Sequence, residues 1–205
     1  MFTGIVEEQG TVKATAPTEA GRRLVISAGS VMSDMKPGDS IAVNGVCLTA
    51  VEVGPDSVAV DVVQESLDRS NLGGLTAGSS VDLERPMPAS GRFDGHIVQG
   101  HVDGVGSVLS RHPEGDAIRM RVGLSSDLSA SIVEKGSITV DGVSLTVTGV
   151  SEPEADAQWF EIVLIPHTLD VTVLGTRHEG DLVNLEVDVL AKYVAKYVKQ
   201  LMEAR

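Results

Sequence analysis

The sequence predicts an all-β protein made of two copies of one module of roughly 90 residues, followed by a single helix. Three observations carry this. Residues 40–53, SIAVNGVCLTAVEV, recur as residues 137–150, SITVDGVSLTVTGV, with eight of fourteen positions identical at a constant offset of 97. Each copy alternates apolar with small or polar residues and breaks at Asn44-Gly45 or Asp141-Gly142, dipeptides that supply the positive φ angles of a tight hairpin turn. With 3% aromatic residues and 22 Gly in 205, the cores must be aliphatic and the turns many, which favours β structure.

The elements follow in order. Residues 2–12, FTGIVEEQGTV, read as a strand bent at its glycines. Residues 23–28 form a short strand, residues 31–35 a weak helical turn stopped by Pro37-Gly38, and residues 40–53 the first hairpin. Residues 57–63 are a further strand, 64–72 a polar turn or short helix, and 80–84 the closing strand. About six short strands at this spacing suit a barrel or a sandwich. Residues 85–96, RPMPASGRFDGH, have no periodicity and form the linker.

The second module repeats the plan. GHVDGVGSV from Gly100 aligns with GIVEEQGTV at offset 96, so His101 stands where the first module has Ile5. Residues 97–109 are expected as an opening strand pair, 117–124 as the next strand, and 126–134 as a short helix capped by Ser126 or Asp127. Residues 159–165 match the strand at 57–63, HTLDVTVLG at 167–175 matches ESLDRSNLG at offset 102, and 182–187 close the module. The expected domains are 1–96, 97–188 and a helical tail, 189–205. In that tail Leu190, Val194, Tyr197 and Leu201 are spaced as a coiled-coil seam. So narrow an apolar stripe needs a partner, either the chain's own barrel or another copy of the helix.

A net charge of −13 without a basic stripe argues against a nucleic-acid partner. Cys47 is the only cysteine, so no internal disulfide forms, which fits a reducing compartment. No apolar run is long enough for a membrane span, and the start MFTGIVEEQG has no signal-like character. The expectation is a soluble cytoplasmic protein with no membrane partner.

The opening MFTGIVE, the hairpins NGVCLT and DGVSLTV, the segment QGHVDG and the stretch IPHTL followed by TVLG together resemble riboflavin synthase of the α-chain type, along essentially the whole chain. The resemblance implies two six-stranded antiparallel Greek-key β-barrels plus a C-terminal α-helix that assembles a homotrimer, and it raises lumazine synthase as an associated partner. It implies a dismutation in which two molecules of 6,7-dimethyl-8-ribityllumazine exchange a four-carbon unit, giving riboflavin and 5-amino-6-ribitylamino-uracil. Neither metal nor organic cofactor is implied. Each barrel would bind one lumazine, and the productive site would lie between the N-terminal barrel of one subunit and the C-terminal barrel of its neighbour.

By motif position, the implied contacts in the first barrel are Gly4, Ile5 and Val6, then Cys47, Leu48 and Thr49, then Asp61, Val62, Val63, Gln64, Glu65 and Ser66. In the second they are Gly100, His101 and Val102, then Lys135, then Ser144, Leu145 and Thr146, then Ile165, Pro166, His167, Thr168, Leu169 and Asp170. Phe2, Ser40, Cys47 and His101 match positions tied to catalysis, and Asp188 a carboxylate near the site.

The C7 methyl of such a lumazine is acidic because its anion delocalises into an electron-poor ring, so a modest base suffices. His101 suits proton transfer because an imidazole titrates near working pH, while His96 could be a structural histidine. Cys47, or Ser40 nearby, would add to the acceptor ring or place water on it; without the family, Cys47 reads as a small buried hydrophobe. Phe2 would close the pocket or anchor the N-terminus. Thr49, Ser144 and Thr146 would bond the pyrimidinedione edge or simply suit strands, and Lys135 would meet the ribityl chain or merely solvate the start of the hairpin. The competing class is an antenna protein of the same fold that holds a lumazine or flavin without turnover. A flavin-reductase barrel is weaker, since no GxGxxG-bearing nicotinamide unit follows.

Overall fold

The computed structural model describes residues 1–203. Strands β1 (Glu8–Thr18), β2 (Gly21–Ser27), β3 (Ser40–Val43), β4 (Val46–Val53), β5 (Ser57–Val63) and β6 (Ser80–Glu84) close into one antiparallel barrel, in the order β1-β2-β5-β4-β3-β6. A second closed barrel contains β7 (Gly104–Glu114), β8 (Ala117–Leu124), β9 (Ser137–Val140), β10 (Val143–Val150), β11 (Gln158–Leu164) and β12 (Leu182–Val187), and its cyclic order is the same. In both, the second strand pairs with the fifth, the Greek-key connection.

Closure has matching physical causes in the two halves. Register shifts fall between Val12 and Ala14 in β1 and between Val108 and Ser110 in β7, and again between Ala50 and Glu52 in β4 and between Val147 and Gly149 in β10. Such bulges bend and coil a strand, as a small barrel requires. The hairpin turns have φ of 44° and 78° at Asn44 and Gly45, and 47° and 90° at Asp141 and Gly142. Positive φ at both central residues marks the turn class whose twist matches the flanking strands. The turns meet tip to tip: a Cβ on Gly45 would stand 2.7 Å from the Gly142 nitrogen. Only glycine permits that approach.

Each barrel has its own aliphatic core, Leu24, Ile26, Ile41, Val60 and Leu83 in the first, and Met120, Ile138, Ile162, Leu164 and Leu185 with Phe160 in the second. Full burial of such a side chain stabilises by about 1.5–3 kcal/mol.

One short arc precedes the first strand of each barrel, and each arc serves the other barrel. Phe2 and Val98 pair with one another, the Phe2 N–H donating to the Val98 carbonyl at 2.7 Å and the reverse bond measuring 3.2 Å. Beyond that bridge the arcs diverge. The Ser144 N–H donates to the Gly4 carbonyl at 2.8 Å, and the Cys47 N–H donates to the Gly100 carbonyl at 2.8 Å. Val6 packs against the core of the second barrel and Val102 against that of the first.

Several local expectations are corrected. Residues 97–109 are not a strand pair, because Gly100 turns the chain at φ 76° and β7 begins only at Gly104. Gly4, at φ 77°, likewise delays β1 to Glu8. The turn at 31–35 is a 3-10 turn, Ser30–Met32. The expected helix at 126–134 is one turn, α2 (Ser126–Ser129), whose cap position is Ser125, not Ser126 or Asp127, and which has no side-chain cap bond. The polar segment after β5 is α1 (Gln64–Arg69), and its counterpart after β11 is α3 (Pro166–Val171). The tail helix, α4 (Val189–Glu203), begins with the Leu190 N–H donating to Asp188 Oδ1 at 2.9 Å; the last two residues of the expected tail lie outside those described. Its seam residues Leu190, Val194, Tyr197 and Leu201 are 59–69% exposed, so it does not pack on its own barrel. A Lys192–Asp103 ion pair of 2.7 Å ties down its first turn.

Candidate functional site

The exchange of arcs regroups the candidate residues. Gly100, His101 and Val102, expected with the second barrel, stand beside Cys47 of the first; Gly4, Ile5 and Val6, expected with the first, stand beside Ser144 of the second. The repeat offsets align the arcs correctly but carry no information on where each docks.

Beside Cys47 lies a cleft of about 360 Å³ lined by Val46, Cys47, Glu65, Ser66, Arg69, Ser70, Gln99, Gly100, His101, Val102, Asp103 and Lys192. That volume lies within the range of pockets that take a small heterocycle. Cys47 enters from β4 directly after the hairpin turn, and His101 from the arc. A Cβ on Gly100 would come within 2.6 Å of the Cys47 Cβ and 3.0 Å of the Phe2 ring, so bare glycine backbone lets the histidine-bearing turn lie against the thiol. The His101 side chain is exposed into this space. Arg69, Gln99, Asp103 and Lys192 escaped notice in the sequence: Arg69 aligns with Val171 in the repeat, and Lys192 lies in the tail.

Phe2 is fully buried against Ala42, Val98 and Cys47. It cannot stack on a ligand; it is the floor beneath the thiol and the anchor of the N-terminus. Ser40 lies diagonally across the ladder from Cys47, two residues along the strand from Ala42, which is the direct partner of Cys47. It starts β3 opposite Thr49 and lines a separate cavity with Asp34, Met35, Asp39, Arg85 and Pro86. Asp61 is held by Arg23 through two hydrogen bonds of 2.7 and 2.9 Å, which keep its carboxyl below the usual carboxylate range. Its side chain is therefore committed, and Val62 is buried in the first core, so both can meet a ligand only through backbone. Leu48 is likewise a core residue, whereas Thr49, Val63, Gln64 and Glu65 are exposed, and of these only Glu65 lines the cleft.

The Ser144 side is built differently. His96 Nδ1 lies 2.7 Å from the Ser144 hydroxyl and Nε2 3.3 Å from that of Thr139, with Gly95 packed against Ser144. Burial lowers the His96 pKa, opposed by the charge of Asp188, so the ring is neutral at working pH. Where the first barrel has an apolar floor of Phe2, Ala42 and Val98, the second has a hydrogen-bonded histidine. Ile5, Lys135, Thr146, Ile165, Pro166, His167 and Asp170 are exposed on this side; Leu145 and Leu169 pack against the core, and Thr168 accepts from Thr172 in α3. Asp188 caps α4 and faces His96, not the Cys47 cleft.

The junction of the barrels is a buried polar network. Asp141 Oδ2 accepts from Arg177 Nε and Nη2 at 2.9 and 2.6 Å, and Oδ1 from the Asn184 N–H and Asn71 Nδ2 at 2.8 and 2.9 Å. Burial pushes this carboxyl up, and Arg177 pushes it back. The first barrel places Asn44 and Asp82 where the second has Asp141 and Asn184. Asp82 Oδ1 accepts from the Val173 N–H at 2.9 Å, while Asp82 Oδ2 and Asn44 Nδ2 are buried without partners among the described residues. Burial, reinforced by the charge of Asp141, pushes Asp82 up to about 8. Among the described residues no group of three or more potential ligands is placed to hold a metal ion, and no helix is long and apolar enough to cross a membrane.

The lumazine binding domain family matches this chain twice, at residues 3–86 and 99–188. Relatives named riboflavin synthase include that of Mycobacterium tuberculosis, 50% identical over 97% of this chain and 98% of its own length. Those of Bacillus subtilis (40% identical, 99% and 92% covered) and Saccharomyces cerevisiae (43%, 99% and 88%) bear the same name. Among solved structures, LumP complexed with 6,7-dimethyl-8-(1'-D-ribityl) lumazine superposes with a TM-score of 0.81 at 25% identity, covering 92% of this chain and 99% of that one. LumP complexed with riboflavin gives 0.80 at 27%.

Proposed function

The chain belongs to the riboflavin synthase family, transferases of riboflavin biosynthesis, and we propose that its Cys47–His101 cleft is one of two lumazine sites at which that reaction is carried out. The single observation that carries this reading is the exchanged arc, which delivers His101 to the pocket of Cys47. Two molecules of 6,7-dimethyl-8-ribityllumazine react, one giving up a four-carbon unit to the other, to yield riboflavin and 5-amino-6-ribitylamino-uracil.

At the Cys47 cleft, His101 is the group able to move a proton at the acidic C7 methyl of the donor ring, and Cys47 adds to the acceptor ring or places water against it. Glu65, Ser66, Arg69 and Lys192 supply polar contacts for the ribityl chain and ring carbonyls. On the second barrel, Ile5, Lys135, Ser144, Thr146 and the residues from Ile165 to Asp170 receive the other ring, with His96 fixing the Ser144 hydroxyl. Phe2 acts by holding Cys47 in place.

That second set lies open on the surface, so a single chain does not bring the two rings face to face. The exposed seam of α4 supports a homotrimer in which a neighbour's second barrel covers this chain's first and brings the two rings together. Holding reactants in register can supply about 7–11 kcal/mol in favourable cases, which suits a reaction that needs no cofactor. The domains are residues 1–96 and 97–188 with the arcs exchanged, and 189–205 for assembly; the location is cytoplasmic. Association with lumazine synthase would deliver substrate where it is made and is checked by co-sedimentation of the two purified proteins.

The test is to add 6,7-dimethyl-8-ribityllumazine alone and follow riboflavin absorbance. Stable bound lumazine without new flavin would instead favour the antenna role of the same fold.

A further inference from the structure

Two buried glutamates occupy the same place in the two barrels, Glu84 in β6 and Glu186 in β12, each paired in its strand with apolar neighbours. Neither belongs to the cleft lining, and neither makes a salt bridge among the described residues. Both grip an arc. Glu84 Oε1 accepts the Thr3 N–H at 2.6 Å and the Thr3 hydroxyl at 2.9 Å, and Oε2 accepts the Gly4 N–H at 3.1 Å. Glu186 Oε1 accepts the Gln99 N–H at 2.7 Å, and the Gly100 N–H also favours its charged form against the cost of burial.

The far end of each arc is pinned as well. The Asp103 N–H donates to the Leu185 carbonyl at 2.8 Å, and Asp103 Oδ2 accepts the Val187 N–H at 2.9 Å. In the first barrel the Glu7 N–H donates to the Leu83 carbonyl at 2.9 Å, and Glu7 Oε1 accepts the Arg85 N–H at 2.6 Å. His101 thus rides on a span of a few residues whose two ends are fixed to β12 by Glu186 and Asp103. Among the described residues its side chain has no hydrogen-bond or ion-pair partner, so the aim of the imidazole is set by the backbone beneath it. A glycine turn at φ 76° is free to adopt many other conformations unless something holds it. A buried carboxylate bonded to backbone N–H groups is a strong and directional way to do so.

We propose that Glu186 is a positioning residue for catalysis: it fixes the Gln99–Gly100 turn of the second barrel so that His101 is presented to the ring bound beside Cys47 in the first. Glu84 does the same for Ile5 beside Ser144. The two sites differ in one detail. Thr3 adds its hydroxyl to Glu84, whereas Gln99 offers only its N–H, and Glu186 Oε2 is left buried without a well-formed hydrogen bond. The arc bearing the histidine is therefore held by fewer bonds than its counterpart.

This inference rests on the assignment of His101 to the reacting ring, and the experiment separates the two. Steady-state turnover of 6,7-dimethyl-8-ribityllumazine is measured for wild type, Glu186→Ala, Glu186→Gln, His101→Ala and the His101→Ala/Glu186→Ala double variant. A misplacement of about 1 Å at a reacting group can cost ~100-fold. Glu186→Ala is expected to lower kcat by a factor of that order with KM changed less than about threefold, and Glu186→Gln, which keeps an acceptor for the Gln99 N–H, to recover most of it. In the His101→Ala background the further loss from Glu186→Ala should shrink to less than about threefold, because the group it positions is gone. Equal losses with and without His101, or unaltered turnover in Glu186→Ala, would overturn the proposal. Unaltered turnover in His101→Ala would instead remove the site assignment and leave the grip of Glu186 merely structural. Should Glu186→Ala not fold, Glu186→Asp, which draws the acceptor back by one methylene, carries the same cycle.

Discussion

Asp82→Asn should flatten the dependence of stability on pH. Asp82 is 2% exposed, has one oxygen on the Val173 N–H and none on the other, and lies in the field of Asp141. Its carboxyl is raised from 3.8 to about 8. A folded-state pKa above the unfolded value means that the folded chain binds this proton more tightly. The stability it contributes is complete below about pH 4 and is lost as pH rises through about 8. A difference of about four units corresponds to roughly 6 kcal/mol at most between those limits, at 1.36 kcal/mol per unit. Asn keeps the acceptor for Val173 and cannot ionise. Urea unfolding of wild type and variant, followed by circular dichroism from pH 5 to 9 at one protein concentration, gives the difference between them at each pH. That subtraction cancels the same-signed slopes from Glu84 and Glu186, whose pKa values are also raised by burial, and leaves Asp82 together with its coupling to Asp141. The variant should gain on wild type steadily as pH rises and overtake it by about pH 8. Parallel curves would refute the claim that Asp82 is buried as its neutral acid.

Other outcomes follow from the same geometry. Arg177→Ala strips Asp141 of its counter-ion in a fully buried site and should destabilise by about 3–5 kcal/mol in urea melts at neutral pH. Cys47→Ser should keep substantial turnover if the group only places water; a loss of several hundred-fold with lumazine affinity intact would make the thiol a direct nucleophile. Removing residues 190–205 should give monomers by sedimentation that bind lumazine but turn over poorly, and full turnover by a demonstrated monomer would contradict a site shared between subunits.

Much of the fold could be read from the sequence because its strongest signals are local. Asn44-Gly45 and Asp141-Gly142 specify their turns by φ alone, and the strands at 57–63, 80–84, 117–124 and 182–187 are bounded as alternation and turn residues indicate. What could not be read is long-range. Which barrel receives the arc bearing His101 depends on docking, not on the residues of the arc, so the offset of 96 grouped it with the wrong hairpin. Asp61 changed role for the same reason by pairing with Arg23, while Phe2 takes the anchoring alternative, buried beneath Cys47. One signal was hidden by alternation: SVDLE and LVNLEV each carry an acid, Glu84 and Glu186, on the strand face opposite the core residues Leu83 and Leu185, where a solvated side chain would be expected but the arcs bury it. A buried acid repeated at the same strand position in both copies is an acceptor with a fixed partner, here the backbone N–H groups of the arc.

The mutual clasp of the two arcs has an evolutionary corollary. Two identical single-barrel chains could trade these segments only reciprocally, and each would then be obliged to present the same side chain to the other's hairpin. Gene fusion lifts that obligation. Once both halves share one polypeptide, a histidine can be placed opposite a thiol on one side and an isoleucine opposite a hydroxyl on the other, so two like ligands can be given unlike fates.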